Sequence, residues 1–325
     1  MLCIKELYRD DIAPIASFLS EQTGSPPHVV QERLSWLADN PARQPDIPLA
    51  IGALQEENLA GTMILIPHRF SNGSAVQTCI LSALFYVDGR ARGAGLLLFL
   101  KFRALNGKYP LYCATANAAS APLWQSFAGI PIEGSDLEFV RACRWTPIVK
   151  GFLRIRKSRK VVDGVHPLIP TTAKAALIPL EVSELAGAGT GAIRTADFEV
   201  LRDPALLCWK VYSREQKVYR FEGKASRCFC VFQHDLRGRH RQVASTEIVD
   251  LWGQFTDEDW TSFVSAIKNT FSPDLITFRG CSPVARLGFS KRGFFARRSK
   301  TFAAWLIDPN QLLGGRFVYN PLAGE

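Results

Sequence analysis

The chain of 325 residues is long enough for two domains, and it carries a formal net charge of +9 with a pI near 9.2. Hydrophobic residues make up 47% and charged residues 21%, which excludes a disordered chain and predicts well-formed cores. No apolar segment reaches the length of a membrane span, and the acids near the N-terminus do not fit a signal peptide, so we expect a cytoplasmic protein.

The positive charge favours an anionic partner, such as nucleic acid, a phosphorylated cofactor or a sugar nucleotide. Basic residues concentrate at 154 to 160, 237 to 241 and 290 to 300, although such runs most often form a solvated face or a linker. The eight cysteines contain no CxxC pair, so we expect no metal site.

The first half of the chain is predicted to begin with a strand and two helices. The second helix starts with Pro26 and Pro27 and ends before Asn40-Pro41. Apolar runs then predict an antiparallel meander of three strands, followed by helix, strand, helix and strand. The ranges after the second helix are 47–57, 59–70 and 76–87 for the meander, then 94–106, 109–116, 120–129 and 137–145.

A strand, a glycine-rich turn and a helix follow one another between residues 80 and 102. Ile80 to Val87 is an apolar run, and an unbroken Leu/Phe helix starts after the turn. The free amides and the positive dipole end at a helix N-terminus form an anion site, and Gly93 and Gly95 would let a phosphate reach the main chain. A tight structural turn is the alternative.

This half resembles the GNAT family of acyl-CoA-dependent N-acyltransferases. The family's pyrophosphate motif, V-x-x-x-x-[QR]-G-x-G-x-[GA], is matched by Val87, Arg92, Gly93 and Gly95, while Leu97 replaces the last small residue. The resemblance implies that backbone groups of the fourth strand meet the thioester and that the loop holds the pyrophosphate. The donor-binding residues implied in this way are Phe85, Tyr86, Val87, Arg92, Gly93, Ala94, Gly95, Leu96 and Leu97.

A second family pattern, an Asn followed by an alanine-rich turn and Leu-Tyr, resembles the segment from Asn117 to Trp124. Both residues are therefore expected to line the cofactor site. Trp124 stands where many relatives have a tyrosine that protonates the leaving thiolate, and an indole does not titrate usefully. Tyr86 is the alternative acid. Lys101 and Arg103 could meet the 3′-phosphate of CoA, or could simply form an exposed helix face.

From residue 193 the order of elements begins again, after a connection at 147–192 that predicts one helix or less. Where the glycine loop should recur, the segment QFTDEDW carries three acids that would repel a pyrophosphate. The fold class is therefore α/β with mixed α+β sheets. It consists of two tandem GNAT-like domains, each a mostly antiparallel mixed sheet flanked by helices, at 1–146 and 193–325, and the second copy is degenerate.

The general base is the least defined part of the site, because the fourth strand carries no carboxylate or histidine. His68, at the end of the third strand, could take a proton from an ammonium group, although a surface histidine beside Arg69 is the more ordinary interpretation. Glu133 and Asp136, after the fourth helix, could border the acceptor site or be solvated.

Two acids of the second copy, Glu247 and Asp250, lie on a strand that is otherwise apolar. An acid in such a strand is costly unless it is paired or functional, so both are candidates to face an acceptor cleft between the copies.

The resemblance implies an acyltransferase that moves an acyl group from acetyl-CoA or a longer acyl-CoA to an amine. The acceptor would be an amino sugar, an amino acid or a natural-product intermediate, and an acyl carrier protein could replace CoA as donor. Two alternatives stay open: a FemABX-like transferase that uses aminoacyl-tRNA, and a non-catalytic acyl-CoA sensor. Nucleic acid is the less favoured partner, because the RGxG loop favours CoA.

Overall fold

The computed structural model describes residues 2–71, 76–152, 176–181, 184, 199–200, 202, 204–212, 216–223, 227–237, 243–253, 255–279 and 283–306. None of the helices described is long and apolar enough to cross a membrane. The helices are α1 (Ile12–Thr23), α2 (Pro27–Ala38), α3 (Ala94–Ala104), α4 (Ala121–Ser126), α5 (Trp145–Phe152), α6 (Pro204–Tyr212), α7 (Asp257–Phe271) and α8 (Pro283–Ser290). The strands are β1 (Leu2–Leu7), β2 (Ala50–Gln55), β3 (Asn58–Ser71), β4 (Val76–Val87), β5 (Leu111–Ala116), β6 (Ile130–Pro131), β7 (Leu137–Ala142), β8 (Ala176–Leu180), β9 (Glu199–Val200), β10 (Lys217–Glu222), β11 (Arg227–Arg237), β12 (Val243–Gly253), β13 (Leu275–Arg279), β14 (Phe295–Arg298) and β15 (Phe302–Leu306).

The described strands form two mixed sheets with the same internal order. The first sheet runs β1-β2-β3-β4-β5-β15-β6, with β9 beside the end of β3, and the second runs β8-β10-β11-β12-β13-β7-β14. Each sheet has an antiparallel meander that leads to a parallel pair, β4 with β5 and β12 with β13. The α/β prediction of two related mixed sheets in tandem is confirmed.

Each sheet includes a strand from the other half of the chain, and the first sheet has a second one in the short β9. Strand β7 lies between β13 and β14 in the second sheet, and β15 lies between β5 and β6 in the first. The sequence FARRSKTFAAWLI at 295–307 predicts a single final strand, but the structure has two strands there, β14 and β15, in different sheets. The connection at 147–192 supplies β8, which sequence analysis did not predict. Domain limits at 146 and 193 remain a prediction, and the sheets exchange strands across them.

Helices cover both faces of the first sheet. The helices α1 and α2 bury one face with Ile15, Leu19 and Leu34, which are at most 1% exposed. The helix α3 buries the other face with Leu98 and Phe99, which are fully buried. The site described below lies where α3 begins.

The helix α6 joins the two halves of the molecule. Leu206 packs into the core of the first sheet, and the next residue, Leu207, packs into a core of the second. Trp209 stacks on Trp36 of α2 with 4.3 Å between the ring centroids, and each indole Nε1 donates to the other residue's carbonyl oxygen at 2.8 Å. The halves therefore share packed side chains as well as exchanged strands.

The exchanged strand β15 is expected to stabilise the first sheet, and Trp305 tests this. Its ring is 2% exposed and stacks on Tyr112 of β5 at 4.6 Å. We expect Trp305→Ala to lower the free energy of unfolding by about 3 kcal/mol or more, as measured by urea denaturation. The control is Trp145→Ala, whose side chain is 66% exposed and whose removal should cost under about 0.5 kcal/mol. Equal losses in the two variants would contradict this role.

Candidate functional site

The fourth strand of the first sheet contains a bulge. Ala83 lies opposite Ile64 and Tyr86 lies opposite Thr62, so that Leu84 and Phe85 together face a single residue of β3. Leu84 has a φ of 45°, a left-handed conformation that costs about 1–3 kcal/mol for a residue with a side chain. Such strain persists only where the surroundings impose it, and it marks the bulge as a candidate site.

The strands β4 and β5 part at this bulge. Their parallel register runs from Ile80 to Ser82 on β4 and ends opposite Cys113. Beyond that point β5 pairs on its other edge with β15, down to Ala116 opposite Phe302. On the β5 side, the main chain from Ala83 to Val87 has no strand partner among the described residues. The backbone groups of the bulge therefore border an opening in the sheet.

The bulge also divides the side chains between the two faces of the sheet. Leu84 and Tyr86 pack towards the α1 and α2 side, whereas Phe85 and Val87 pack towards α3. Tyr86 is half-buried, and Thr62 opposite it is fully buried with no hydrogen-bond partner for its hydroxyl in the described structure. Tyr86 is thus the titratable candidate that lies at the bulge.

The loop after β4 leads directly into the start of α3. Gly93 is the N-cap of α3 in a left-handed conformation (φ 84°), and a Cβ atom there would meet nothing within 4 Å. The amides of Ala94 and Leu97 bond to carbonyl oxygens of the loop. For the amides of Gly93, Gly95 and Leu96 the described residues supply no backbone acceptor. These donors and the helix dipole make the start of α3 a candidate anion site.

The two loop arginines differ in their partners. Arg90 binds Asp88 through its guanidinium, with NH2 2.8 Å from Oδ2, and the hydrogen bond from Arg90 lowers the pKa of that carboxyl. Arg92 is exposed and has no carboxylate partner within the described ranges. Arg92 is therefore the loop arginine that could meet an added anion.

The residues of the second family pattern have structural roles here. The side-chain Oδ1 of Asn117 accepts hydrogen bonds from the amides of Ala119 at 3.0 Å and Ser120 at 3.1 Å, which fixes the turn before α4. The Trp124 ring is 3% exposed and packs edge-on against Phe99 at 5.3 Å. Its indole forms part of the core under α3 instead of lining an open cleft, because the aromatic cluster encloses it.

Lys101 and Arg103 already have partners on the protein. Lys101 Nζ is 2.7 Å from Glu6 Oε1, and its hydrogen bond lowers the pKa of that carboxyl. The Arg103 guanidinium lies 5.0 Å from the centre of the Phe127 ring. These contacts do not direct the Lys101 ammonium or the Arg103 guanidinium towards the loop before α3.

His68 is buried inside the protein and does not lie on its surface. The ring is 1% exposed, and neither nitrogen has a hydrogen-bond partner in the described structure. Burial and the charge of Lys210 hold the pKa of this imidazole well below its usual value. His68 lies opposite Cys79, five β4 residues before Leu84, which corresponds to about 16 Å along the strand. That separation argues against His68 as a base at the bulge.

The two acids of the second copy lie on β12, in the second sheet. Asp250 is fully buried in a bidentate ion pair with Arg202, whose Nε is 2.8 Å from Oδ2 and NH2 3.2 Å from Oδ1. A carboxylate held in this way is not available as a base. Glu247 is half-buried, opposite Gln233 of β11 and Thr277 of β13.

The second copy repeats the opening but closes its helix start. The parallel pairing of β12 with β13 ends at Ile248, and β12 has an irregularity before Asp250. Asp250 therefore comes two residues after the end of the parallel pairing, as Leu84 comes two residues after Ser82 in the first copy. The N-terminus of α7 is capped internally: Thr256 Oγ1 accepts from the Asp259 amide at 3.3 Å, and Asp259 Oδ2 accepts from the Thr256 amide at 3.2 Å. This capping box uses the amides that a phosphate would need.

Acids and bases elsewhere pair with each other. Glu133 is 3.7 Å from Arg286, and Asp136 is 3.8 Å from Arg298. In the basic run at 290–300, Arg297 also binds the buried Glu138 at 2.6 Å. The run at 154–160 and most of the run at 237–241 lie outside the described residues.

Sequence analysis missed Leu84, Thr62 and Arg202. No residue type signals a bulge at a leucine, and a threonine in an apolar strand is ordinary. For Arg202 a signal did exist, because a buried Asp250 requires a cation, but the partner lies 48 residues away in sequence.

The buried His68 predicts a loss of stability in acid. Its pKa in the folded protein is below the ordinary 6.5, so below pH 6.5 the unfolded chain takes up a proton that the folded chain does not. The free energy of unfolding should therefore decrease as the pH is lowered below 6.5, by up to about 1.4 kcal/mol per pH unit. His234, whose pKa is lowered to about 4 mainly by burial, adds to the same trend.

Denaturant titrations of His68→Leu between pH 7 and pH 5 should show a shallower loss of stability than those of the wild type. His28→Gln, at an exposed position of α2, should retain the wild-type slope. An unchanged slope in His68→Leu would contradict the burial of a neutral imidazole at this position.

Solved structures share this architecture, although no protein-family profile and no curated protein sequence matches the chain. A conserved protein of Enterococcus faecalis V583, described as a "Probable N-Acyltransferase", aligns with a TM-score of 0.61 at 12% identity, over 94% of this chain and 72% of that one. A GCN5-related N-acetyltransferase of Anabaena variabilis ATCC 29413 aligns with a TM-score of 0.58 at 14% identity, over 94% and 73%. Saccharomyces cerevisiae N-myristoyltransferase with bound myristoyl-CoA aligns with a TM-score of 0.52 at 10% identity, over 94% and 82%. These likenesses show the fold, which is that of a tandem GNAT-like α/β protein.

Proposed function

We propose that this protein is an N-acyltransferase that uses an acyl-CoA donor and a small-molecule amine acceptor. One observation carries the proposal: the strained bulge at Leu84 borders an opening in the sheet and leads, through one loop, to the free amides at the start of α3. In an extended donor such as acyl-CoA, the thioester at one end would need the opening, and the pyrophosphate would need the free amides. The second copy has the opening without the free helix start.

The donor would bind along β4 and α3. Its pyrophosphate would accept hydrogen bonds from the amides of Gly93, Gly95 and Leu96, with Arg92 adding a positive charge. The acyl carbonyl would lie at the main chain of Leu84 and Phe85, where backbone N–H groups can stabilise the oxyanion of a tetrahedral intermediate. The yeast relative with myristoyl-CoA supports a CoA donor in this fold, and the length of the acyl chain stays open.

Transfer would proceed by attack of a neutral amine on the thioester carbonyl. A bond forms from the amine nitrogen to the carbonyl carbon, and the bond to sulfur then breaks. Tyr86, on the α1 and α2 side of the bulge, is the proposed acid for the leaving thiolate. No base is assigned, because His68 and Asp250 are held elsewhere, and an amine that arrives neutral can attack without one. Its nitrogen then loses one proton as the amide forms, and that proton would replace the one that Tyr86 gives to the thiolate. Amino sugars, amino acids and natural-product amines are the acceptors proposed.

Acetyl-CoA should bind the wild-type protein and raise its melting temperature, because a ligand at about 100 times its dissociation constant adds about 2.7 kcal/mol of stability. We expect Gly93→Asp to weaken this binding by about tenfold or more, since its carboxylate would point into the open space of the proposed phosphate site. The matched control is Gly24→Asp: Gly24 is also left-handed (φ 71°) with nothing within 4 Å, but it ends α1. Isothermal titration calorimetry measures both.

The absence of binding by acetyl-CoA and by longer acyl-CoAs would overturn the proposal and the sensor alternative together. Equal weakening by both substitutions would show that the donor site lies elsewhere. If acetyl-CoA binds, a panel of amines is incubated with the protein and acetyl-CoA and analysed by mass spectrometry. An enzyme would add an acetyl group to at least one amine, whereas a non-catalytic sensor would leave every amine at its original mass.

A further inference from the structure

The solvent-facing side of α3 is apolar. Leu96, Leu97 and Leu100 are 46%, 36% and 41% exposed, and together they are called the α3 leucine surface. A helix that packs on a sheet normally presents polar residues to water on this side. Three neighbouring exposed leucines are the kind of patch that marks an interaction site.

The core beneath does not need these leucines. Leu98, Phe99 and Phe102 of the same helix are fully buried and already fill the space above the sheet. Leu96 and Leu100 are one turn apart, so their side chains form a continuous strip along the outer face. Since none of the described residues buries this strip, we look for its cover in a partner.

Positive charge lies at both ends of the strip. Arg92 precedes it and Arg103 follows it, and neither has a carboxylate partner among the residues described. The neighbouring cations are neutralised, since Arg90 pairs with Asp88 and Lys101 pairs with Glu6. The partner that fits is apolar in its centre and acidic at its rim.

The strip adjoins the open amides of Gly93, Gly95 and Leu96. We propose that the α3 leucine surface docks an acidic acyl carrier protein, which would deliver the acyl group on its phosphopantetheine arm; this rests on the proposed function. The arm is attached to the carrier through a phosphate, so a phosphate bound at the start of α3 brings the carrier body onto the first turns of that helix. An anionic membrane would also be negatively charged, but membrane binding would not explain why the α3 leucine surface lies next to this loop.

The test measures binding of a holo acyl carrier protein from bacterial fatty-acid synthesis and, in parallel, of acetyl-CoA, by isothermal titration calorimetry. Leu100→Glu places a negative charge in the strip outside the proposed pyrophosphate contacts. We expect it to weaken carrier binding by about tenfold or more and to leave acetyl-CoA binding and the melting temperature unchanged. Arg103→Glu should act in the same direction.

The matched control is Leu287→Glu, at a leucine of α8 that is 58% exposed and lies in the second half of the chain. It should bind both ligands as the wild type does. The proposal is overturned if the wild type binds acetyl-CoA but not the carrier, if Leu100→Glu and Leu287→Glu act alike, or if Leu100→Glu weakens both ligands equally. Binding to phosphatidylglycerol vesicles through Leu100, without carrier binding, would also overturn it. Failure of acetyl-CoA to bind would instead count against the proposed function.

Discussion

The parting of β4 from β5 is the constraint on which the candidate site depends. The strand β5 leaves β4 after Cys113, while its other edge stays paired with β15 as far as Ala116. The main chain of β4 is then free on one side where Leu84 adopts its strained conformation. The edge of β5 opposite the opening is thus formed by a strand of the second half, so the two copies share one sheet.

In the first copy, the helix start that follows the fourth strand has amides that are unpaired within the described structure, and in the second copy it is capped. In the first, Gly93 begins α3 without a side chain, and the helix amides face open space. In the second, Thr256 and Asp259 cap α7, and the Arg202–Asp250 pair occupies the position that corresponds to the strained bulge. Each closed feature uses for internal hydrogen bonds the groups that a ligand would need, which is why we propose a donor site in the first copy only.

The sequence was sufficient for the meander and for the glycine loop of the first copy. Apolar periodicity and glycine chemistry are local, so the meander, the turn at Gly93 and Gly95, and α3 could be predicted from neighbouring residues. The strand exchange could not be predicted, because β7 and β15 have the pattern of ordinary final strands, and pairing across more than 130 residues leaves no local signal. The same limit explains His68, which lies near Lys210 of α6, and Trp124, whose indole packs into a core formed with α3.

Hydrogen–deuterium exchange with and without acetyl-CoA tests the central claim most directly, because it reports each helix start separately. The account predicts that acetyl-CoA slows exchange of amides in peptides covering residues 82–100, at the bulge and the start of α3. It predicts no change in peptides covering 248–262 at the corresponding place in the second copy. Protection of the second region, or of neither, would contradict a single donor site formed by β4 and α3.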